Sequence, residues 1–570
     1  MKRIISLFGL VLFLLNTGCR QASPVWGGYT ISKVAQDKQG MVVSAHPVAS
    51  QVGTEILKAG GNAVDAAIAV QFALAVVYPV AGNIGGGGFM LIRQADGHTD
   101  ALDYREKAPA AAGRDMYLDS TGAVIPGLSL NGHLASGVPG SVDGMLEAFS
   151  RYSQLKDFKK LIQPAIDLAE KGFHLTERQA NNLNSARESF TKYNTTKPIF
   201  VRDSAWKEGD LLIQPDLAQT LIRIRDQGRD GFYAGKTADL IVAEMQAGHG
   251  IISHQDLQDY HAQWRSALVG DYRGYQVITM PPSSSGGIAL LQLLESVETF
   301  PLADYGFQST EAVHVMVEAE RRVYADRAEH LGDMDFYPVP INGLIDPAYN
   351  QARMKDFDPV HATPSDAISA GTPAPKESEQ TTHFSVVDKD GNAVAVTTTL
   401  NGGYGCKTVV AGAGFLLNNE MDDFSSKPGV PNMFGLVGGE ANAISPGKRM
   451  LSSMTPSIVA KDGKLFMVVG SPGGSTIITS VFQMIVDAVD FGMTMDASVQ
   501  STRFHHQWKP DFVFLEPDSL PAATMKGLRE MGYELNIRGN IGRVDAIMRQ
   551  PDGTLVGAAD TRGDDHAEGY

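Results

Sequence analysis

The feature that most constrains this chain is an abrupt change of character about two-thirds of the way along it. Residues 356–380 begin Asp356-Phe357-Asp358-Pro359 and end Pro373-Ala374-Pro375-Lys376-Glu377-Ser378-Glu379-Gln380. They are polar, Pro-rich and without apolar periodicity, the composition of an exposed, mobile linker. Two β-rich runs follow directly, Thr381-Thr382-His383-Phe384-Ser385-Val386-Val387 and Ala393-Val394-Ala395-Val396-Thr397-Thr398-Thr399, around Asp388-Lys389-Asp390-Gly391-Asn392. An Asp-Gly turn between such runs specifies a hairpin. With 388–392 as its loop, Val387 faces Ala393 and Thr381 lies opposite Thr399; a slip of one residue still leaves the two hydroxyls neighbours. A linker running straight into a strand that opens with Thr-Thr also suits a self-cleaving precursor. Cleavage before Thr381 frees an α-amine of pKa about 7.7–8.0, a base for the hydroxyl of the same residue. Taken alone, an ordinary Thr-rich strand is the better account of these residues, because such strands are common.

The rest of the chain is globular in composition. Its 570 residues are 43% hydrophobic and 20% charged, which excludes a disordered or fibrous protein. The length suits two to four units of roughly 100–200 residues, or one large α/β body. Forty-eight basic residues against 64 acidic ones give a net charge of −16, and no basic stripe exists to bind a nucleic-acid backbone. Residues 1–18 differ: Lys2 and Arg3 precede an apolar run over 4–15, shorter than the roughly 20 residues of a membrane span. This is the pattern of an export signal and predicts a bacterial cell-envelope or periplasmic location. Asn16-Thr17-Gly18-Cys19 resembles a lipoprotein box, although Asn16 stands where leucine is usual. Lipidation of Cys19 with a membrane anchor, or a signal without lipidation, both remain open. Cys406 is then left without an intrachain partner, so the core must hold the fold unaided.

Residues 63–80 are strongly apolar, but Asp65 and Gln71 interrupt them and Pro79 closes them. A buried core helix entered through Gly60-Gly61-Asn62 is expected. The glycine-rich run 82–88 precedes a strand over 89–92; a phosphate cradle would follow a strand and open a helix, so a tight crossing of backbones is expected instead. The opposite order occurs at Ser471-Pro472-Gly473-Gly474-Ser475, between a strand over 465–470 and a helical run over 476–489. Free N–H groups converge at such a helix start. Without a Lys-Ser/Thr pair the loop suits an oxyanion rather than a nucleotide, or is a plain turn. Asn418-Asn419-Glu420-Met421-Asp422-Asp423-Phe424-Ser425 offers carboxylates for an ammonium, or is a solvated acidic turn. Arg449-Met450-Leu451-Ser452-Ser453-Met454-Thr455-Pro456 offers paired hydroxyls, for a ligand or for capping a turn. Arg105, in Asp103-Tyr104-Arg105-Glu106-Lys107, is suited to gripping a carboxylate bidentately, or is an isolated surface arginine. His505-His506 lacks metal-ligand spacing and reads as structural.

Together with the Thr381 junction and Pro428-Gly429-Val430-Pro431-Asn432, these segments resemble the γ-glutamyltransferase (glutathione hydrolase) family of N-terminal-nucleophile hydrolases, over roughly residues 40–570. The resemblance implies an α+β fold, a four-layer αββα sandwich. It implies autocatalytic cleavage between Gln380 and Thr381 into a large subunit (19–380) and a small catalytic subunit (381–570) that stay associated. Thr381 would be the nucleophile and Thr399 its hydroxyl neighbour, with Gly473 and Gly474 as oxyanion donors. Arg105, Ser452 and Ser453 would bind a glutamyl α-carboxylate; Asn401, Glu420 and Asp423 would hold the α-ammonium. No metal or organic cofactor is implied. The substrates would be glutathione and other γ-glutamyl amides, with water, amino acids or dipeptides as acceptors. Phe434 stands where bacterial relatives carry a tyrosine in a loop over the pocket, and Cys406 is either redox-sensitive or simply buried. Retention of Arg105, Ser452, Ser453 and Asp423 favours an amino-acid head group over a cephalosporin. Two rivals share the fold: an acylase of another amide, and an uncleaved envelope lipoprotein that binds γ-glutamyl peptides without turning them over.

Overall fold

Side-chain alternation along the central strands decides the layering. In the computed structural model, which describes residues 30–373 and 383–570, two seven-stranded sheets stack face to face. The first is ordered His566–Gly569, Met41–Ser44, His383–Val387, Ala393–Thr399, Gly87–Arg93, Thr99–Asp103, Gln263–Arg265. The second is ordered Val34–Asp37, Leu555–Ala559, Asp545–Arg549, Lys464–Gly470, Ser457–Lys461, Tyr275–Thr279, Leu268–Tyr272. Successive residues of a strand point to opposite faces. Met41, Val43, Phe89, Leu91, Ala393 and Ala395 therefore meet Ile278, Ile458, Val468 and Ile547 between the sheets. Their alternates Val42, Met90, Ile92, Val394 and Val396 face outward onto the helices Pro47–Lys58, Ala63–Val77 and Phe158–Lys171. On the far side, Val277, Val459, Met467, Val469 and Ala546 pack against Gly286–Val297, Thr310–His330 and Thr476–Val489. The layers run helix, sheet, sheet, helix, as the resemblance implied.

The helix Ala63–Val77 is buried along its whole length and starts with a capping box in which Asn62 and Asp65 satisfy each other's backbone N–H. Among the described residues no helix is long and apolar enough to cross a membrane, in line with the core-helix expectation. The glycine run does bring backbones together: a Cβ on Gly86 would sit 2.0 Å from the Thr399 carbonyl oxygen, and one on Gly88 2.5 Å from that of Thr397. Only hydrogen at those positions lets Gly87–Arg93 lie against Ala393–Thr399. The hairpin keeps its expected register, from Val387 opposite Ala393 to His383 opposite Thr397. Asp388 closes its loop by accepting from the N–H groups of Asp390 and Asn392, each at 3.0 Å. Thr381, Gln380, Cys19 and the export signal lie outside the described residues.

The expected linker is exposed or half-buried at most positions over 356–373, but it is tethered at several points. Ser365 and Ile368 are buried, and the Trp508 indole N–H donates to both their carbonyls at 3.0 Å. The Gly371 N–H donates to Asp326 Oδ1 at 2.7 Å. Polar, Pro-rich composition removes apolar periodicity, but it does not prevent backbone groups from being captured one at a time by a neighbouring helix and loop.

Candidate active site

Arg105 stands just past the strand Thr99–Asp103 and has no exposed surface, so it is not a surface arginine. Its guanidinium lies 2.7 Å from Asp423, 3.0 Å from Glu420 and 3.6 Å from Glu106. Three carboxylates thus share one guanidinium where water cannot screen them. Burial pushes Glu106 up to about 7 and Glu420 well above the usual carboxylate range, against the pull of Arg105. One residue before Tyr104, Asp103 goes the other way: although buried, it is held low by Arg449 and Arg265. It also accepts the Arg105 N–H at 3.1 Å, fixing the backbone from which the guanidinium projects.

The hydroxyl pair sits beside this cluster. Arg105 reaches the carbonyl of Met450 at 3.4 Å and that of Leu451 at 3.5 Å, which places Ser452-Ser453 next along the chain. Ser285 donates to the Ser452 carbonyl through both its N–H (3.1 Å) and its hydroxyl (2.8 Å). Arg327 donates to the hydroxyls of Ser285 (3.0 Å) and Ser453 (3.3 Å). The Ser452 hydroxyl is buried and, among the described residues, has no hydrogen-bond partner; a buried polar group left this way is available to a water or a ligand. A pocket lined by Arg327, Asp423, Asn432, Asn442 and Leu451 opens at this point.

Asn401 holds a left-handed conformation at φ +70°, one that Asn tolerates. Its N–H donates to the Thr399 hydroxyl at 2.6 Å and its amide to the Asn419 carbonyl at 3.0 Å. Asn418 spends its side chain on Gly85, Gly137 and Glu420 backbone groups, riveting the acidic segment to the glycine run. That segment is therefore buried and ordered rather than a solvated turn.

The loop 471–475 joins the strand Lys464–Gly470 to the helix Thr476–Val489. Gly473 and Gly474 hold φ values of +143° and +60°, open to glycine. Among the described residues neither of their N–H groups has an acceptor, so the loop offers two free donors. A Cβ on Gly474 would meet the Phe434 ring at 2.3 Å: Phe434 lies on the glycine loop. The segment carrying it is held by Asn432, whose Oδ1 accepts from Phe434 N–H (3.0 Å) and Leu436 N–H (3.2 Å) and whose amide donates to Asp423 at 3.2 Å.

Other sequence candidates resolve more simply. Cys406 is buried and burial pushes its thiol up, the inert alternative. His505 bonds Thr479 and Gln507, each at 2.9 Å, and His506 bonds Asp511 at 3.2 Å; burial holds the two imidazoles down at about 3 and about 4, so both are structural. Among the described residues no group of three or more His, Cys, Asp and Glu is arranged to hold a metal ion. The sequence reading missed Glu106, Arg327, Ser285 and the tether from Asn432. Glu106 stands beside Arg105 in Asp103-Tyr104-Arg105-Glu106-Lys107, and Ser285 closes the run Pro281-Pro282-Ser283-Ser284-Ser285. Arg327 gave no signal, since it is one of several charges on a long helix.

With this geometry in hand, the comparisons with known proteins agree. A family profile described as Gamma-glutamyltranspeptidase matches residues 49–570. The glutathione hydrolase proenzyme of Escherichia coli (strain K12) is 50% identical over 536 residues, covering 94% of this chain and 92% of that protein. The acylase ACY 1 proenzyme of Pseudomonas sp. (strain SE83) is 35% identical over 540 residues, 93% of this chain and 94% of that one. Among solved structures, a cephalosporin acylase from Bacillus halodurans superposes with a TM-score of 0.83 at 26% identity, covering 96% of this chain and 99% of its own. The Helicobacter pylori gamma-glutamyltranspeptidase gives 0.58 at 46% identity, over 59% of this chain and 97% of its own. The fold, the buried Arg105 cluster and the near full-length match lead to one conclusion: this chain belongs to the gamma-glutamyltranspeptidase family.

Proposed function

We propose that this protein is a self-cleaving γ-glutamyl hydrolase and transferase that acts on glutathione and related γ-glutamyl amides. The observation that carries this reading is the Arg105 cluster, one guanidinium among Glu106, Glu420 and Asp423 with no access to solvent. A ligand bearing an α-ammonium favours ionisation of the carboxyls that burial keeps protonated, and its α-carboxylate has the guanidinium and the Ser452 hydroxyl to accept from. A glutaryl head group, which lacks the ammonium, gives Asp423 no cation beyond Arg105 and leaves the raised carboxyls of Glu106 and Glu420 protonated. That weighs against an acylase acting on acyl groups without an α-ammonium.

The mechanism follows from the residues. Cleavage between Gln380 and Thr381 exposes the α-amine of Thr381, which takes the proton of its own hydroxyl as the oxygen attacks the γ-carbonyl. The N–H groups of Gly473 and Gly474 receive the oxyanion; one such donor is typically worth about 2.7–4 kcal/mol. The leaving amine, cysteinylglycine when glutathione is the donor, takes the proton and departs, and a γ-glutamyl ester remains on Thr381. Water resolves the ester to glutamate, or an amino acid or dipeptide amine carries the γ-glutamyl group away. Residues 1–18 would direct the chain to the cell envelope, with Cys19 as its lipid anchor point. The test is turnover of glutathione beside a glutaryl amide with the same leaving group. Release of cysteinylglycine and glutamate, with the glutaryl compound far slower, is expected; preferential cleavage of the glutaryl amide would favour the acylase reading.

A further inference from the structure

Asp423 is bonded on two sides. One oxygen meets Arg105 at 2.7 Å, and the other accepts from the Asn432 amide at 3.2 Å. The same Asn432 side chain folds its own loop, its Oδ1 accepting the N–H groups of Phe434 and Leu436, as Asn does in tight turns. Phe434 in turn lies on Gly474. A continuous set of contacts therefore runs from the head-group carboxylate through one amide to the loop with two free donors. The neighbouring Asp422 adds a second attachment to this segment, accepting from Met433 N–H at 3.0 Å, while its other oxygen accepts from the Ser129 hydroxyl at 2.6 Å. Asn432 bonds both to the cluster, at Asp423, and to the loop, at Phe434 and Leu436.

We infer that Asn432 is a positioning residue that couples occupancy of Asp423 by a substrate ammonium to the seating of Phe434 over Gly474. This rests on the γ-glutamyl reading above. An arriving ammonium shares Asp423 with Arg105 and Asn432, and a change in that bond is transmitted to the turn built on the same side chain. Head-group recognition then acts on the oxyanion loop and appears in turnover as well as in binding. A ligand shifts such an equilibrium only through its differential interaction with the two loop states, so a substrate without the ammonium leaves the loop unbiased.

The test uses the mature enzyme with L-γ-glutamyl-p-nitroanilide and glutaryl-p-nitroanilide. Asn432→Asp keeps an acceptor for the turn but sets a carboxylate against Asp423. For the γ-glutamyl compound kcat is expected to fall about tenfold, equivalent to about 1.4 kcal/mol, with little change in KM. The glutaryl compound should change less than about twofold, so the preference between them collapses. Equal losses on both substrates would mark Asn432 as a general support of the loop, and no loss on either would leave it without a role; both overturn the inference. A wild-type enzyme that shows no preference between the two anilides would instead sink the γ-glutamyl reading itself. A measurement independent of any variant is hydrogen exchange of the Phe434 and Leu436 amides in the wild type. L-Glutamate should protect them and glutarate should not; equal protection by both, or none by saturating L-glutamate, contradicts the coupling.

Discussion

Arg105 shares a solvent-free site with Glu106, Glu420 and Asp423, and the imbalance of charge there has measurable consequences. Arg105→Ala leaves three buried carboxylates without their cation, a change that costs about 3–5 kcal/mol; denaturant unfolding of the purified protein should show it. Arg105→Lys keeps the charge but not the planar fork, and should retain most of the stability while raising KM for γ-glutamyl amides. The pH dependence follows from Glu106, whose carboxyl is pushed up to about 7 by burial. A raised carboxyl binds its proton more tightly in the folded state, so its contribution is fully present below the ordinary value near 4.5 and is lost as pH rises through about 7. The ligand-free wild type should therefore lose Tm relative to Glu106→Gln between pH 5 and pH 8, and saturating L-glutamate should reduce that difference. Parallel Tm curves for the two proteins would contradict this. Arg105 was legible in the sequence only through the motif that carries the resemblance, since by residue type alone it reads equally as a surface arginine. Its complete burial was not, since burial depends on what the fold lays over the strand end.

The glycine loop and the segment over it form one unit, because Phe434 occupies the space where a Gly474 side chain would go. Gly474→Ala should lower kcat by about 10²-fold, the scale of a lost oxyanion donor, through collision with the ring and strain at φ +60°. Phe434→Ala in the same chain should recover part of that loss by removing the collision. Simple addition of the two single effects, from steady-state kinetics of all three variants, would show that the ring and the loop are independent. Local elements of this kind were readable where the rules are local. The hairpin register followed from the Asp-Gly turn and side-chain alternation, and the loop before Thr476–Val489 from its order of strand, glycines and helix. The contact between Phe434 and Gly474 joins residues 40 positions apart and left no pattern to read.

At the scale of the molecule, the four layers are set by period-two strands that bury both faces, and the resemblance in the sequence carried that architecture correctly. What composition did not show is that 356–373, exposed or half-buried at most positions as expected, is stitched to the body by Trp508 and Asp326. This gives the stretch leading to Gln380 a fixed starting point. Trp508→Phe removes the indole donor to Ser365 and Ile368, a loss of about 1 kcal/mol, and should slow maturation at the Gln380–Thr381 bond, followed as the decay of full-length chain on a gel. An unchanged rate would mean that the anchoring serves stability alone. The mechanism requires Thr381 to become an N-terminus, and intact mass with N-terminal sequencing of the purified protein tests this directly, beside Thr381→Ala. Two chains are predicted, the smaller beginning Thr381-Thr382-His383, with the variant left as one chain. A folded wild-type protein that stays whole would remove the α-amine base and contradict the mechanism.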